Sequence, residues 1–217
     1  MNKNITHNSE SSFLYFINFL NHQLDNKLKN SRITTKTLER LIEIYKNILL
    51  SKENVNFIIQ KQDNMELSFC LNIIQAYHLI FQNNNQLLIT SNSGKIIFDN
   101  LIMAMQLVNI SYGLKNDIDL NSTKTVVENE STIGGKSKLI KSNPYFDINI
   151  IRKDEKFNII IFDNWELKNA KKIKDILIEL NDQNAKVIVT IKHNDDNATD
   201  LLKSLESSII VNKLKIN

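Results

Sequence analysis

The apolar residues near the N-terminus fall on one side of a regular helix. Leu20, Leu24 and Leu28 recur every four residues, and this spacing predicts a helix over about residues 11–30. His22 lies off that stripe, so such a helix would turn its imidazole towards water. The pattern therefore predicts an amphipathic helix with an exposed histidine.

A second amphipathic helix follows after a short link. It is predicted to begin near Thr34 or Thr35, where a hydroxyl can cap it. Its apolar positions are Leu38, Leu41, Ile42, Tyr45, Ile48 and Leu49. The short link at residues 31–33 predicts an antiparallel hairpin, and two copies could bury their stripes as a dimeric four-helix bundle. The alternative is that the hairpin packs on the rest of its own chain.

Beyond residue 53 the pattern changes to alternating strands and helices. Strands are predicted at 55–59, 86–90, 146–151, 157–162, 186–191 and 209–216, and helices at 65–81, 96–112, 167–180 and 198–206. A charged turn at 152–156 joins two of these strands as a hairpin, so not every strand can be parallel.

The predicted fold class is therefore α+β, in three parts. Residues 1–10 form a flexible tail, 11–53 the helical hairpin and 54–217 an α/β domain. Within the last part, residues 113–143 are polar and hold three of the four glycines, which indicates a surface loop. A short ordered piece is expected at Thr125–Val127.

Composition narrows the function classes. The 217 residues suffice for a proper core, and a net charge of +3, spread evenly, argues against nucleic-acid binding. The single cysteine, Cys70, excludes an intramolecular disulfide and is expected to fill the core. No apolar run approaches the roughly 20 residues of a membrane span, and the polar N-terminus favours the cytoplasm. The histidines have no ligand-spaced partners, so no metal site is expected.

The order of several segments resembles that of sensor histidine kinases. Residues 19–28, Phe-Leu-Asn-His-Gln-Leu-Asp-Asn-Lys-Leu, resemble their H-box, and residues 38–52 the close of their dimerisation hairpin. Residues 97–104 resemble the N-box helix, and residues 147–164 the strands that lead into the D-x-G-x-G motif. The resemblance implies a dimeric hairpin followed by an α/β sandwich of the kinase ATPase type.

The departures from that family lie at the nucleotide site. Ala104 stands where the N-box has its second asparagine, and Trp165 and Leu167 replace the glycines after Asp163. Phosphates need closely approaching backbone N–H groups, which such substitutions remove. The expectation is a degenerate ATPase-like domain with no bound nucleotide or other cofactor, and no ATPase or kinase activity.

A histidine hairpin on a nucleotide-free kinase-like domain resembles the bacterial histidine phosphotransferases. The implied function is phosphorelay transfer, in which His22 accepts a phosphoryl group and Asp25 orients its ring. The implied partners are response-regulator receiver domains and a second copy of the chain, with no nucleic acid and no membrane. Gln23 and Lys27 replace the acid and the proline usual near the histidine. The alternative function is a non-catalytic dimeric scaffold.

Two other interpretations remain. The C-terminal third resembles half of a receiver domain, in which Asp163 would accept phosphate, Thr190 would switch and Lys213 would pair with the phosphate. Residues 90–95, Thr-Ser-Asn-Ser-Gly-Lys, resemble a P-loop without its leading glycine or the final hydroxyl residue. These describe a pseudo-receiver and a degenerate P-loop domain.

Overall fold

Helices and parallel strands alternate along most of this chain. The computed structural model describes residues 10–27, 33–60, 65–81, 86–90, 103–104, 106–107, 117–118, 125–130, 136–142, 158–163, 170–182, 184–192 and 196–216. The helices are α1 (Glu10–Lys27), α2 (Thr35–Ile44), α3 (Met65–Phe81), α4 (Ala170–Asp182) and α5 (Asp196–Glu206). The strands are β1 (Val55–Gln60), β2 (Gln86–Thr90), β3 (Asp117–Ile118), β4 (Thr125–Glu130), β5 (Lys136–Ser142), β6 (Ile159–Phe162), β7 (Lys186–Lys192) and β8 (Val211–Ile216).

The strands form one sheet in the order β3-β4-β5-β2-β6-β7-β1-β8. Six neighbouring strands, from β5 to β8 in that order, are parallel, whereas β3 and β4 add an antiparallel edge. Strand β6 is central and pairs in parallel with β2 on one side and with β7 on the other. A parallel sheet needs crossover connections, and these place helices over its faces.

The central strand of the sheet is buried on both faces. Along β6, Ile159 and Ile161 join one hydrophobic cluster, whereas Ile160 and Phe162 join the other. This alternation follows from the two-residue period of a strand. The first cluster holds side chains of α1, α2 and α3, and the second holds those of α4 and α5. The described part of the chain is therefore a layered α/β structure with helices on both sides of the sheet.

Aromatic rings join the N-terminal helices to α3. Phe13 of α1 stacks on Tyr45, at the end of α2, with ring centroids 4.1 Å apart. Tyr77 of α3 contacts Phe13 edge to face, with ring centroids 5.1 Å apart. It also contacts Phe16 in a tilted arrangement, with centroids 5.5 Å apart. All four side chains are at most 2% exposed within a single chain. Their burial supplies much of the hydrophobic stabilisation of this face.

The prediction of a dimeric four-helix bundle is therefore wrong. The apolar stripes of α1 and α2 are buried against α3 of the same chain, which is the alternative considered for the hairpin. Once a stripe is covered within its own chain, burying it against a second copy gains nothing.

The predicted kinase-like α/β sandwich is also wrong. It required the strands predicted at 146–151 and 157–162 to pair as an antiparallel hairpin. Both edges of β6 are taken by parallel partners, β2 and β7, so no antiparallel neighbour can pair with it. The expected strand at 146–151 lies outside the described residues. The strands predicted at 55–59, 86–90, 157–162, 186–191 and 209–216 are confirmed as β1, β2, β6, β7 and β8, each beginning within three residues of the predicted start. The helices predicted at 65–81, 167–180 and 198–206 are confirmed in the same way as α3, α4 and α5.

Several smaller expectations are also resolved. The region expected to be a loop at 113–143 contains β3, β4 and β5, and the ordered piece Thr125–Val127 lies in β4. Thr34 caps α2 as predicted, since its hydroxyl accepts a hydrogen bond of 3.1 Å from the N–H of Thr37. Of the tail expected at residues 1–10, Glu10 begins α1, and residues 1–9 lie outside the described residues. None of the described helices combines the length and hydrophobicity that crossing a membrane requires.

Replacing Phe13 by alanine tests the single-chain core. Phe13→Ala is expected to lower the free energy of unfolding by about 3–5 kcal/mol, because it leaves a cavity between two rings. Tyr15→Ala on the same helix, where the side chain is 69% exposed, should change it by less than about 0.5 kcal/mol. Urea denaturation measures both values, and equal effects of the two substitutions would contradict the packing of α1.

The reactivity of the only thiol tests the burial of α3. Burial raises the pKa of Cys70 to about 12, with a smaller contribution from Glu66. Only the thiolate is nucleophilic, so below the ordinary pKa of 9.0 the folded protein should react slowly with a soluble aromatic disulfide. Because the thiol ionises near pH 9 in the unfolded chain and only near pH 12 in the folded one, the free energy of unfolding falls as the pH rises from 9 towards 12. The guanidinium-unfolded chain is the control, and equally fast reaction at pH 8 in both states would contradict the burial.

Candidate functional site

The carboxyl ends of β1 and β7 lie at a point where the chain leaves the sheet in opposite directions. From β1 the chain continues through α3 towards β2, on the side of β7. From β7 it continues through α5 to β8, on the far side of β1. In open α/β sheets such a switch point leaves a crevice at the carboxyl edge, where ligands bind. We therefore take this edge as the candidate site.

A buried acid and a buried hydroxyl meet at this edge. Asp163 follows the last residue of β6, and the register that pairs Phe162 with Val189 sets it beside Thr190 of β7. The hydroxyl of Thr190 donates a hydrogen bond of 2.9 Å to Oδ1 of Asp163. Asp163 is 1% exposed and Thr190 is fully buried. A carboxylate that is buried here needs such a donor, because an unsolvated charge is costly.

Chemically, Asp163 is the group at this edge suited to a hard cation. Carboxylate oxygens are preferred ligands of Mg²⁺, and P-loop NTPases hold their magnesium with an aspartate that follows a strand. Among the residues that the structure describes, no group of three or more His, Cys, Asp or Glu side chains could hold a metal ion. Asp163 would therefore contribute one ligand, and a bound nucleotide would have to bring others.

The other part that a nucleotide needs is a phosphate cradle between β1 and α3. In a P-loop the backbone N–H groups of a glycine-rich turn and the following helix N-terminus surround the phosphates. Here the connecting residues 61–64 are Lys-Gln-Asp-Asn, without glycine, and their conformation lies outside the described residues. Met65 and Glu66 follow, where a P-loop has its lysine and hydroxyl residue.

The first turn of α3 already carries a carboxylate. Oε1 of Glu66 accepts a hydrogen bond of 3.1 Å from the hydroxyl of Thr37, and Oε2 lies 3.4 Å from Nζ of Lys36. An acidic side chain is stabilised at a helix N-terminus by the helix dipole. A phosphate at the same place would be repelled by Glu66. The residues present therefore do not fit a nucleotide phosphate held in the manner of a P-loop.

The two residues assigned to phosphotransfer lie on α1. His22 is exposed, as its position off the apolar stripe predicted, and the side chain of Asp25 lies outside what the structure describes. The neighbouring Asn21 accepts a hydrogen bond of 2.9 Å from the N–H of Ile33, which ties α1 to the start of the second helical segment. The role of His22 as a phosphoryl acceptor is not tested by these contacts.

Of the three residues in the receiver interpretation, the structure brings two together. Asp163 and Thr190 are hydrogen-bonded. Lys213 lies on β8, in register with Phe57 of β1, and forms an ion pair with Glu206. In the P-loop interpretation, Thr90 ends β2, and residues 91–95 lie outside the described residues. That segment follows β2 and not β1, so it is not the connection that opens at the switch point.

One available signal could have identified this site from the sequence. Residues 159–162 and 187–189 are uninterrupted apolar runs, which is typical of parallel strands buried on both faces. Because Asp163 and Thr190 each follow directly after one of these runs, the pattern indicates that both residues lie at the carboxyl edge of the same parallel sheet. Assigning the first run to a hairpin hid that relation.

Several solved structures resemble this fold. The ATPase domain of the large terminase of Thermus phage P74-26, as a point mutant, matches with a TM-score of 0.53 and 9% identity, over 81% of this chain and 79% of that one. The large terminase of bacteriophage HK97 matches with a TM-score of 0.56 and 13% identity, over 93% and 43%. The DEAD-box helicase Dbp5 of S. cerevisiae, in a structure with Gle1 and IP6, matches with a TM-score of 0.58 and 13% identity, over 92% and 50%.

These likenesses show the fold, which is that of P-loop NTPases. The chain spans about half the length of the HK97 terminase and of Dbp5. No protein-family model matches the sequence, and no curated protein sequence matches it either. The assignment to histidine kinases or histidine phosphotransferases is wrong, because the similar structures have a different fold. With it falls the phosphorelay function.

Replacing Thr190 tests the pair at the carboxyl edge. Thr190→Val keeps the shape but removes the donor to Asp163, and it is expected to cost about 1–3 kcal/mol of unfolding free energy. Thr190→Ser keeps the hydroxyl, so it separates loss of the hydrogen bond from loss of a methyl group. Urea denaturation of both variants measures the difference. If the valine variant is at least as stable as the serine variant, the hydrogen bond does not stabilise the buried carboxylate.

Proposed function

We propose that this chain is a non-hydrolysing domain of the P-loop NTPase fold, which acts as a binding or assembly module. The observation that carries the proposal is the carboxylate of Glu66 at the N-terminus of α3, held there by Thr37 and Lys36. Nucleotide phosphates in P-loop proteins bind at the N-terminus of this helix. A domain with a carboxylate there keeps the scaffold without the phosphate site.

The absence of glycine from the connecting sequence supports the same proposal. A P-loop wraps phosphates closely because its glycines leave room for the backbone to approach. Residues 61–64 supply side chains at every position, including the acidic Asp63. The residue that follows Asp163 in the sequence is Asn164, an amide that cannot act as a base towards water.

The kind of assembly is inferred from the fold alone. Two of the similar structures are large terminases of phages, and the third is a helicase bound to a partner protein. By analogy, this domain would contribute a rigid surface to an assembly that contains an active NTPase. The predictions of a cytoplasmic location, a homodimer, receiver-domain partners and no nucleic acid stay untested. For the receiver domains and the dimer, the kinase-like architecture that suggested them is no longer a reason.

A second candidate function is nucleotide binding without a standard P-loop. The observation that favours it is the Asp163–Thr190 pair, which lies at the carboxyl edge where a magnesium-bound phosphate would approach. The two candidates differ in what magnesium and ATP should do.

Measuring ATP binding and turnover separates them. For the non-hydrolysing module we expect no magnesium-dependent ATP hydrolysis and no saturable binding of a fluorescent ATP analogue. Glu66→Gln should leave both results unchanged, because removing one charge does not create a cradle. The matched control is Asp163→Asn, which removes the buried carboxylate that follows β6.

The outcomes distinguish the candidates fully. Hydrolysis that is abolished in Asp163→Asn would refute the non-hydrolysing proposal. Saturable binding without hydrolysis, weakened in Asp163→Asn, would support the second candidate instead.

A further inference from the structure

A cavity of about 370 Å³ opens at the amino edge of the sheet. Its floor includes Ile159 and Lys186, the first residues of β6 and β7. Asp163 stands four residues further along β6, so the two edges are about 13 Å apart at 3.3 Å per residue. The cavity is therefore separate from the carboxyl edge, and a ligand bound in it would be independent of the proposed function.

One wall of the cavity is an irregular helical turn. After α2 the chain continues as a π-helical turn over Tyr45–Leu49. Tyr45, Leu49 and the adjoining Leu50 all line the cavity. π-Helical turns are rare and occur frequently at functional sites, because they turn side chains away from the regular helical positions. Leu50 remains 45% exposed, so it forms an apolar rim that solvent reaches.

The polar side chains of the lining are basic or neutral. They are Lys186, His78 of α3 and Asn158, together with the phenol of Tyr45. No carboxylate is among the lining residues that the structure describes.

Lys186 supplies a charge that is fixed in place. Its Nζ donates to the carbonyl oxygens of Glu53 at 2.7 Å and Ser51 at 2.9 Å, and it lies 3.5 Å from the hydroxyl of Ser51. Because carbonyl oxygens hold it, the ammonium cannot swing out of the cavity wall. Burial lowers the pKa of Lys186, and the carboxylate of Glu53 acts in the opposite direction without lining the cavity. An anion in the cavity would compensate a charge that burial leaves poorly solvated.

We propose that this cavity binds a small amphipathic carboxylate, with its apolar body against Leu49, Leu50 and Ile159 and its anionic group towards Lys186 and His78. The volume lies in the range of small-molecule sites, which are mostly apolar with a few placed polar groups. The ammonium of Lys186 contributes through its charge, since its three hydrogens already face the two carbonyl oxygens and the hydroxyl of Ser51. His78 and Asn158 are the other polar residues of the lining that the carboxylate would face, besides Tyr45.

Three eight-carbon probes of different charge test this site in the full chain. Octanoate is expected to bind saturably by calorimetry and to shift the amide NMR signals of Ile159 and Lys186. Octanol should bind more weakly, and octylamine should not bind, because only the carboxylate complements the basic lining. Equal binding of octanoate and octylamine, or no saturable binding of octanoate, would overturn the proposal.

Two variants locate the site. Leu50→Glu places an anion at the rim and should weaken octanoate binding by about tenfold or more. Ile210→Glu is the matched control, since Ile210 is also an apolar residue of the amino edge, is 77% exposed, and does not line the cavity. Unchanged affinity in Leu50→Glu, or equal losses in both variants, would overturn the proposal.

The charge requirement has its own variant. Lys186→Met should reduce the preference for octanoate over octanol, and retention of the full preference would contradict the role of the ammonium. Lys186 also binds the backbone of residues 51 and 53 to β7, so the thermal unfolding of the Lys186→Met variant is measured first. If that variant does not fold, Leu50→Glu and the three probes decide the question.

Discussion

The parallel pairing of β6 on both of its edges is the constraint on which the rest of the structure depends. With β2 on one side and β7 on the other, this strand is surrounded by backbone hydrogen bonds and buried on both faces. Parallel neighbours require crossover helices, and those helices need apolar stripes to cover the sheet. The stripes of α1, α2 and α3 cover one face, and those of α4 and α5 cover the other.

The same pairing determines where the chemistry can lie. It brings Asp163 and Thr190, 27 positions apart in the sequence, into one hydrogen bond at the carboxyl edge. At that edge the fold offers an acid and a helix N-terminus, the two parts that P-loop NTPases combine. In this chain the first turn of that helix carries Glu66, whose carboxylate is bound by Thr37 and Lys36 of α2.

The amino edge is organised by amides and a lysine. The buried side chain of Asn56 donates to the carbonyl oxygens of Asn54 at 3.1 Å and Glu53 at 3.3 Å, and accepts from Ser51 and Asn212. With Lys186 these contacts fix the turn that follows the π-helical segment to the beginnings of β1, β7 and β8. A polar network whose hydrogen bonds are satisfied favours one arrangement of the turn. This turn fixes the position of the adjoining cavity wall.

Local sequence determined most of the helices and strands, though not β3 and β5, which lie where a loop was expected. It also determined the cap at Thr34, the burial of Cys70 and the exposure of His22, because these depend on periodicity and on neighbouring residues. It did not determine which strands pair. The apolar run at 157–162 is compatible with a strand of a hairpin and with a central parallel strand. In the same way, the apolar stripes of α1 and α2 could be buried in a dimer or against the rest of their own chain. Only the tertiary structure decided between them, because pairing and burial are settled by contacts between residues far apart in sequence. The approach of Asp163 to Thr190 and of Glu66 to Thr37 depends on the same long-range contacts, so local patterns could place these residues at the ends of strands and helices but could not decide which of them meet.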